Sequence, residues 1–312
     1  MTTRLMGRLA LAFVATACLA AGATPAARQL AMEPLKDAGQ NVYPAFEGWY
    51  QNSDGSYTLL IGYYNRNKKQ TLDIPIGPEN RIEPGGPDQG QPTHFVVGRG
   101  WGTISIKVPK DFGDKKINWT LTANGKTVTI PFGITKGYQI EPYKDEAMGN
   151  TPPTIKLAEA GPALTGPPGP LSTYPTLNGV VGEPVTITYW ITDDGNDETP
   201  TGGGAAAPPP APAPGTPATS APPAAGGGPP RRVRLSTTLS KYRGPGTMTF
   251  ADATPSIEKD KASTTATFSL PGEHVIRIEG NDSSGVGGGG FQCCWTTAYL
   301  KVNVKAAPTS GK

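Results

Sequence analysis

The sequence predicts an all-β protein made of two β-sandwich domains. Glycine and proline contribute 41 and 34 of the 312 residues, which favours turns over helices. Short alternating runs of Val, Ile, Thr and Tyr stand between clusters of Gly, Pro, Asn and Asp, as in antiparallel sheets. No segment carries a sustained helical period with capping residues. Short strands at this spacing are typical of layered β-sandwiches.

The first 23 residues have the pattern of a secretory signal peptide. Arg4 and Arg8 precede the apolar run Leu9–Leu19, and small residues follow as a cleavage pattern. The run is about half as long as the ~20 residues that a membrane-spanning helix needs. We therefore expect residues 1–23 to be removed and the mature protein to be periplasmic or extracellular. Anchoring as a lipoprotein through Cys18 is the alternative.

The charge balance argues against binding to nucleic acid. Residues 1–23 contain two of the 28 basic residues and none of the 25 acidic residues, so the mature chain is nearly neutral. Such a chain has no electrostatic attraction to DNA, RNA or anionic lipid. The expected partner is therefore a protein or a polysaccharide at the cell surface. The oligomeric state stays open.

The first domain is predicted over residues 42–142, after a flexible segment at 24–41. Two dipeptides, Asp54-Gly55 and Asn124-Gly125, each separate a pair of strand-like runs. Such dipeptides suit the type I′ hairpin turn, in which both central residues take positive φ. Thr103–Val108 alternates and ends before a proline, which cannot donate to a strand ladder. These features predict an antiparallel sandwich.

The second domain is predicted over residues 151–305, with 306–312 as a flexible tail. Its clearest strand is Val185–Thr192. Residues 200–230 contain only Pro, Gly, Ala, Ser and Thr, so they lack side chains for a core and we expect a disordered insertion. Strand signals resume directly after it, which favours a loop within the domain. A linker between two partial modules is the alternative.

The end of the second domain carries a recognisable pattern. The pattern begins with Gly272, followed by alternate residues, an aspartate and a turn glycine, and it ends in an alternating strand. The alternate residues are His274, Ile276, Ile278 and Gly280, the aspartate is Asp282, the turn glycine is Gly285, and the closing strand contains Leu300, Val302 and Val304. This stretch resembles the end of a PKD or cadherin-like module of the immunoglobulin-like class. Gly280 takes a position that is apolar in such modules. The resemblance implies a non-catalytic extracellular spacer or interaction module. The predicted fold class is thus all-β, with two immunoglobulin-like sandwiches and a Pro/Ala/Gly-rich insertion.

The only cysteines of the predicted mature chain are adjacent, Cys293 and Cys294. Neighbouring Cα atoms lie ~3.8 Å apart across a trans peptide, closer than most disulfides prefer. Three interpretations stay open: two packed thiols, a vicinal disulfide, or a bridge from Cys293 to another chain. If the register of the closing strand extends back, Cys294 points into the core while Cys293 and Trp295 point outward.

Four carboxylates are candidate calcium ligands. Asp193, Asp194 and Asp197 follow one strand, and Asp282 ends another that could reach the same edge. Ordinary turn chemistry is the alternative explanation. No other cofactor is predicted.

Aromatic residues crowd the first domain. Strand alternation puts Tyr63 and Tyr64 on opposite faces. If two or three of the aromatic residues, with Trp49, Tyr63 and Tyr64 as candidates, line one exposed face, stacking on sugar rings is expected; packing in the core is the alternative. His94 follows a turn-rich run and is a further candidate, either for ligand binding or as a hydrogen-bonded anchor.

No nucleotide-binding, zinc-protease or serine-nucleophile motif occurs in the sequence. The leading hypothesis is therefore a non-enzymatic interaction or structural module of the periplasm or cell surface. Carbohydrate binding, alone or as an accessory to a secreted enzyme, is the second hypothesis. A hydrolase that uses paired carboxylates is the third.

Overall fold

The computed structural model describes residues 34–145, 149–194, 235–282 and 293–308. These residues form seventeen β-strands and no α-helix, which confirms the all-β class. In the same ranges, no helix is long and apolar enough to cross a membrane. The predicted signal peptide and the insertion lie outside the described residues.

The first sandwich contains eight strands. They are β1 (Val42–Gln51), β2 (Tyr57–Asn65), β3 (Leu72–Asp73), β4 (Asn80–Glu83), β5 (His94–Phe95), β6 (Gly98–Val108), β7 (Ile117–Ala123) and β8 (Lys126–Phe132). One sheet has the order β1-β2-β6, the other has the order β4-β7-β8, and β3 pairs with β5. With β1, β2, β4, β6, β7 and β8 lettered A, B, C, E, F and G, the sheets read A-B-E and C-F-G. This is the order of an immunoglobulin-like sandwich in which strand D is missing.

The second sandwich contains nine strands. They are β9 (Thr154–Lys156), β10 (Leu164–Thr165), β11 (Thr176–Val180), β12 (Val185–Thr192), β13 (Ser236–Arg243), β14 (Met248–Phe250), β15 (Lys261–Phe268), β16 (Gly272–Asn281) and β17 (Trp295–Lys305). The sheet orders are β10-β9-β12-β15-β14 and β11-β17-β16-β13. With β9 and β12 to β17 lettered A to G, these contain A-B-E-D and C-F-G, the order of a constant-type immunoglobulin domain.

Each sandwich has its own hydrophobic core. Trp119 and Phe132 are fully buried in the first core, and Ile187 and Ile276 are fully buried in the second. Both sandwiches belong to one compact unit that begins at Lys36. The way in which they meet is therefore part of the fold.

The two predicted hairpin turns have different outcomes. Asn124 and Gly125 have φ of 48° and 73°, and Ala123 pairs directly with Lys126, as a two-residue type I′ turn requires. The other prediction is wrong, because residues 52–56 form a longer loop in which only Gly55 has positive φ. The Asp54 carboxylate accepts hydrogen bonds from the backbone and hydroxyl of Ser56, which stabilises this wider loop.

Candidate functional site

Side chains of the second sandwich cover one edge of β6. This strand pairs with β2 on one side only, because the first sandwich lacks a strand D. The Tyr242 hydroxyl shares its one proton between the Gly90 carbonyl at 2.6 Å and the Thr103 carbonyl at 2.8 Å, and the Tyr299 hydroxyl donates to the Thr103 oxygen. The Arg277 guanidinium donates to the Trp101 carbonyl at 2.6 Å. These bonds satisfy backbone groups that an open strand edge leaves unpaired. We call this contact the junction.

A carboxylate of the first sandwich is buried beside the junction. The Glu47 side chain is fully buried; it accepts hydrogen bonds from the Gly102 backbone at 2.7 Å and from the Arg99 guanidinium at 3.1 Å. Burial raises the pKa of Glu47 to about 7, although Arg99 and the Gly102 N–H act in the opposite direction. A Cβ at Gly62 would collide with the carboxylate, so this packing requires glycine there.

The second sandwich contributes an ion pair that lies close to Glu47. Arg277 and Glu279 contact each other, and their side chains are only 10% and 14% exposed. Burial opposes the charge of Arg277, but Glu279 and the nearby tyrosines outweigh it and hold the pKa of this guanidinium above its usual value. Burial also raises the pKa of Tyr242 and Tyr299, so both hydroxyls keep the protons that they donate across the junction.

Charged contacts continue along the rim of the junction. Arg243 binds the Asp88 carboxylate through two bonds of 2.8 and 2.9 Å, a geometry that adds orientation as well as strength. Asp73 contacts both Lys241 and His94 at 2.9 Å. Burial alone would raise the pKa of Asp73, but the hydrogen bonds from His94 and Lys241 outweigh it and hold this pKa below its usual range. His94 therefore has the geometry of an anchor.

A cleft of about 440 Å³ follows the seam between the sandwiches. Its lining includes Asp88, Lys107, Leu171, Arg243, Glu273 and Lys301. Burial of Asp88 favours a raised pKa, but the hydrogen bonds from the Arg243 guanidinium outweigh this effect and keep the pKa of the carboxyl low. A carboxyl group that is held ionised in this way is poorly suited to act as a general acid.

Two of the candidate sugar-stacking residues lie in the core. Trp49 and Tyr63 are 8% and 3% exposed. The Trp49 indole donates to the Thr135 carbonyl at 2.8 Å, and Tyr63 packs edge-on against Phe95. Of the two alternatives, these two rings therefore follow the core one, and they are not available for sugar stacking. Tyr64 lies on the opposite face of β2 and is half-buried.

Of the three interpretations of the cysteine pair, the structure has the disulfide between Cys293 and Cys294. Trp295 lies on the outward face of β17, as the extended register predicts, yet Trp295 and Cys293 are both buried, at 4% and 6% exposure. Trp295 packs against Gly102 and Leu60 of the first sandwich. The outward face of β17 is therefore covered by the other sandwich instead of by solvent.

The predicted calcium ligands are found in separate hydrogen bonds. Asp194 accepts a hydrogen bond from the Thr151 hydroxyl at 2.8 Å, and Asp282 accepts one from the Asn150 amide at 2.7 Å. Within the described ranges, no three His, Cys, Asp or Glu residues are arranged to hold a metal ion. Asp197 lies outside those ranges, and a calcium site that includes it with Asp193, Asp194 and Asp282 stays a prediction.

Sequence reasoning missed the junction, although a signal for it exists. In an isolated sandwich one face of β16 and β17 should be polar, yet Val275, Trp295 and Tyr299 occupy that face and are buried. Large side chains on both faces of a strand indicate that a second layer covers it. No protein-family model matches the chain, and no curated protein matches it significantly.

Proposed function

We propose that the mature chain is a non-enzymatic structural or interaction module of the periplasm or cell surface, with two sandwiches held in one fixed orientation. The observation that carries the proposal is the junction. There, two tyrosine hydroxyls and the Arg277 guanidinium join the two sandwiches, and in many enzymes such groups surround a substrate cavity instead.

The contacts of the junction favour a rigid unit over two flexibly linked domains. Interfaces between independent domains are expected to permit relative motion unless they are large and well packed. Here Tyr242, Arg277 and Tyr299 each donate to a backbone carbonyl of β6. Any rotation of one sandwich against the other would break these bonds and leave buried polar groups unpaired, at a cost of about 1–3 kcal/mol for each group.

Distance measurements by electron spin resonance test the rigidity. Nitroxide labels would be placed at two exposed positions, Asp114→Cys in the first sandwich and Glu159→Cys in the second. The native cysteine pair is oxidised and does not compete for the label. We expect one narrow distance distribution for the mature chain. A broad or multimodal distribution would show independently moving domains and contradict the proposal.

Matched arginine variants connect the result to the junction. Arg277→Ala removes a buried donor and is expected to broaden the distribution, whereas Arg81→Ala removes a more exposed arginine and should not. If Arg277→Ala does not fold, Tyr242→Phe provides a milder change of the same interface. Equal distributions in all variants would mean that other contacts set the orientation.

Export is tested separately. The chain should be recovered outside the cytoplasm with an N-terminus near residue 24, as read by mass spectrometry. Full-length chain retained in the cytosol would overturn the assigned location.

A further inference from the structure

A row of half-buried side chains crosses the outer face of the first sandwich. Tyr43 on β1 is directly opposite Tyr64 on β2, and Tyr64 is directly opposite Arg99 on β6. Side chains that face each other across strands project from the same side of the sheet. Trp101 lies two residues beyond Arg99 on that side, and its ring centroid is 4.4 Å from the Arg99 guanidinium carbon. We call these four residues the aromatic row.

The tyrosines of the row differ from those of the core and the junction. Tyr63, Tyr174, Tyr189, Tyr242 and Tyr299 all use their hydroxyls in hydrogen bonds. Among the described residues, the hydroxyls of Tyr43 and Tyr64 have no such partner, and both residues are half-buried. Each therefore combines a ring fixed by the sheet with a polar group that a ligand can reach.

Arg99 adds a positive charge with spare donors. One amino group of the guanidinium binds Glu47 at 3.1 Å, and the side chain is 23% exposed. Within the described part of the chain, its other N–H groups have no hydrogen-bonding partner. A planar guanidinium with free donors suits recognition of a carboxylate. The charge of the row thus complements an acidic ligand.

We propose that the aromatic row binds an extended acidic polysaccharide, with pyranose rings stacked on Tyr43 and Tyr64 and a sugar carboxylate on Arg99. Sugar rings present a face of C–H groups that packs on aromatic rings, and their hydroxyls match the tyrosine hydroxyls. The row spans three neighbouring strands, or about 10 Å at the usual strand spacing. A flat strip of this width fits a chain of sugars.

The size of the row argues against a protein as its partner. A stable protein–protein interface buries about 800 Å² on each partner. Four half-buried side chains on three strands supply a small fraction of that area. The row borders the junction, where the Trp101 carbonyl accepts a hydrogen bond from Arg277, but its four side chains all belong to the first sandwich.

Calorimetric titration of the mature chain with tetragalacturonate tests the proposal, with uncharged cellotetraose as the comparison. We expect tetragalacturonate to bind, and Tyr64→Ala to weaken binding by about tenfold or more. Tyr138→Ala removes a tyrosine that is 54% exposed elsewhere on the chain, so it should bind as the wild type does. Equal thermal stability of the two variants shows that folding is not the cause.

Nuclear magnetic resonance gives a result that needs no variant. Tetragalacturonate should shift the backbone amide signals around Tyr43, Tyr64 and Arg99 in the wild-type chain. No binding, equal affinity for cellotetraose, unchanged affinity of Tyr64→Ala, or shifts confined to other residues would each overturn the proposal. Self-association that Tyr64→Ala abolishes would overturn it in favour of a protein partner.

Discussion

Replacing Glu47 by glutamine should remove a specific part of the pH dependence of stability. Burial raises the pKa of this carboxyl from 4.5 to about 7, so the folded protein holds the proton more tightly than the unfolded chain does. The contribution of Glu47 to stability is therefore greatest below pH 4.5 and is lost as the pH rises through about 7. At about 1.4 kcal/mol per pKa unit, the total change is roughly 3 kcal/mol.

Urea denaturation of the wild type and of Glu47→Gln, measured between pH 4.5 and 8, provides the assay. Other titrating groups are common to both proteins, so the difference between their unfolding free energies isolates Glu47. We expect this difference to shift by roughly 3 kcal/mol in favour of the variant across the range. Glu183→Gln, at an exposed carboxylate, is the matched control and should keep the wild-type slope.

Parallel stability curves for the wild type and Glu47→Gln would refute the reasoning. They would mean that Glu47 titrates alike in the folded and unfolded states, and hence that the carboxylate is hydrated or more strongly paired with Arg99 than its burial indicates.

Three other predictions concern the packing and the cysteines. Tyr299→Phe should lower the unfolding free energy in urea by about 1–2 kcal/mol, because the Thr103 carbonyl loses one of two buried donors; no change would show that water replaces the hydroxyl. Gly280→Ala should cost about 1–3 kcal/mol in the same assay, because its Cβ would lie 2.7 Å from a methyl of Ile191; wild-type stability would show that the core adjusts. Iodoacetamide in denaturant should leave Cys293 and Cys294 unmodified until a reductant is added, after which mass spectrometry should find an adduct on each; earlier labelling of either would mean free thiols.

Strand β12 shows what the sequence pattern can predict. Its predicted and observed bounds agree at Val185–Thr192, because alternate residues face the core and a turn signal stands at each end. The pattern was sufficient because β12 pairs only with strands of its own sandwich. Asn124-Gly125 also formed the predicted turn, whereas Asp54-Gly55 did not, because Asp54 accepts hydrogen bonds from Ser56 within a wider loop.

Other features were missed where the surroundings of a side chain are formed by a distant part of the chain. Trp295 points outward from its own sandwich as expected, but the pattern did not predict that the first sandwich covers it. The sequence around Glu47 does not show that this carboxyl is buried, because its surroundings are formed by Gly62, Arg99 and Gly102. Gly280 has no room for a side chain because Ile155 and Ile191 fill its space. The local alternation of residues does not indicate which faces of the two sandwiches will contact each other.

The hydroxyl of Tyr299 and the carbonyl of Thr103 are separated by 196 positions along the polypeptide. During synthesis, β6 therefore emerges long before the residues that shield it, and until they follow its open edge is a template for strand addition. A fragment that ends before the second sandwich should consequently aggregate, because it lacks the tyrosine hydroxyls and the guanidinium that cover this edge.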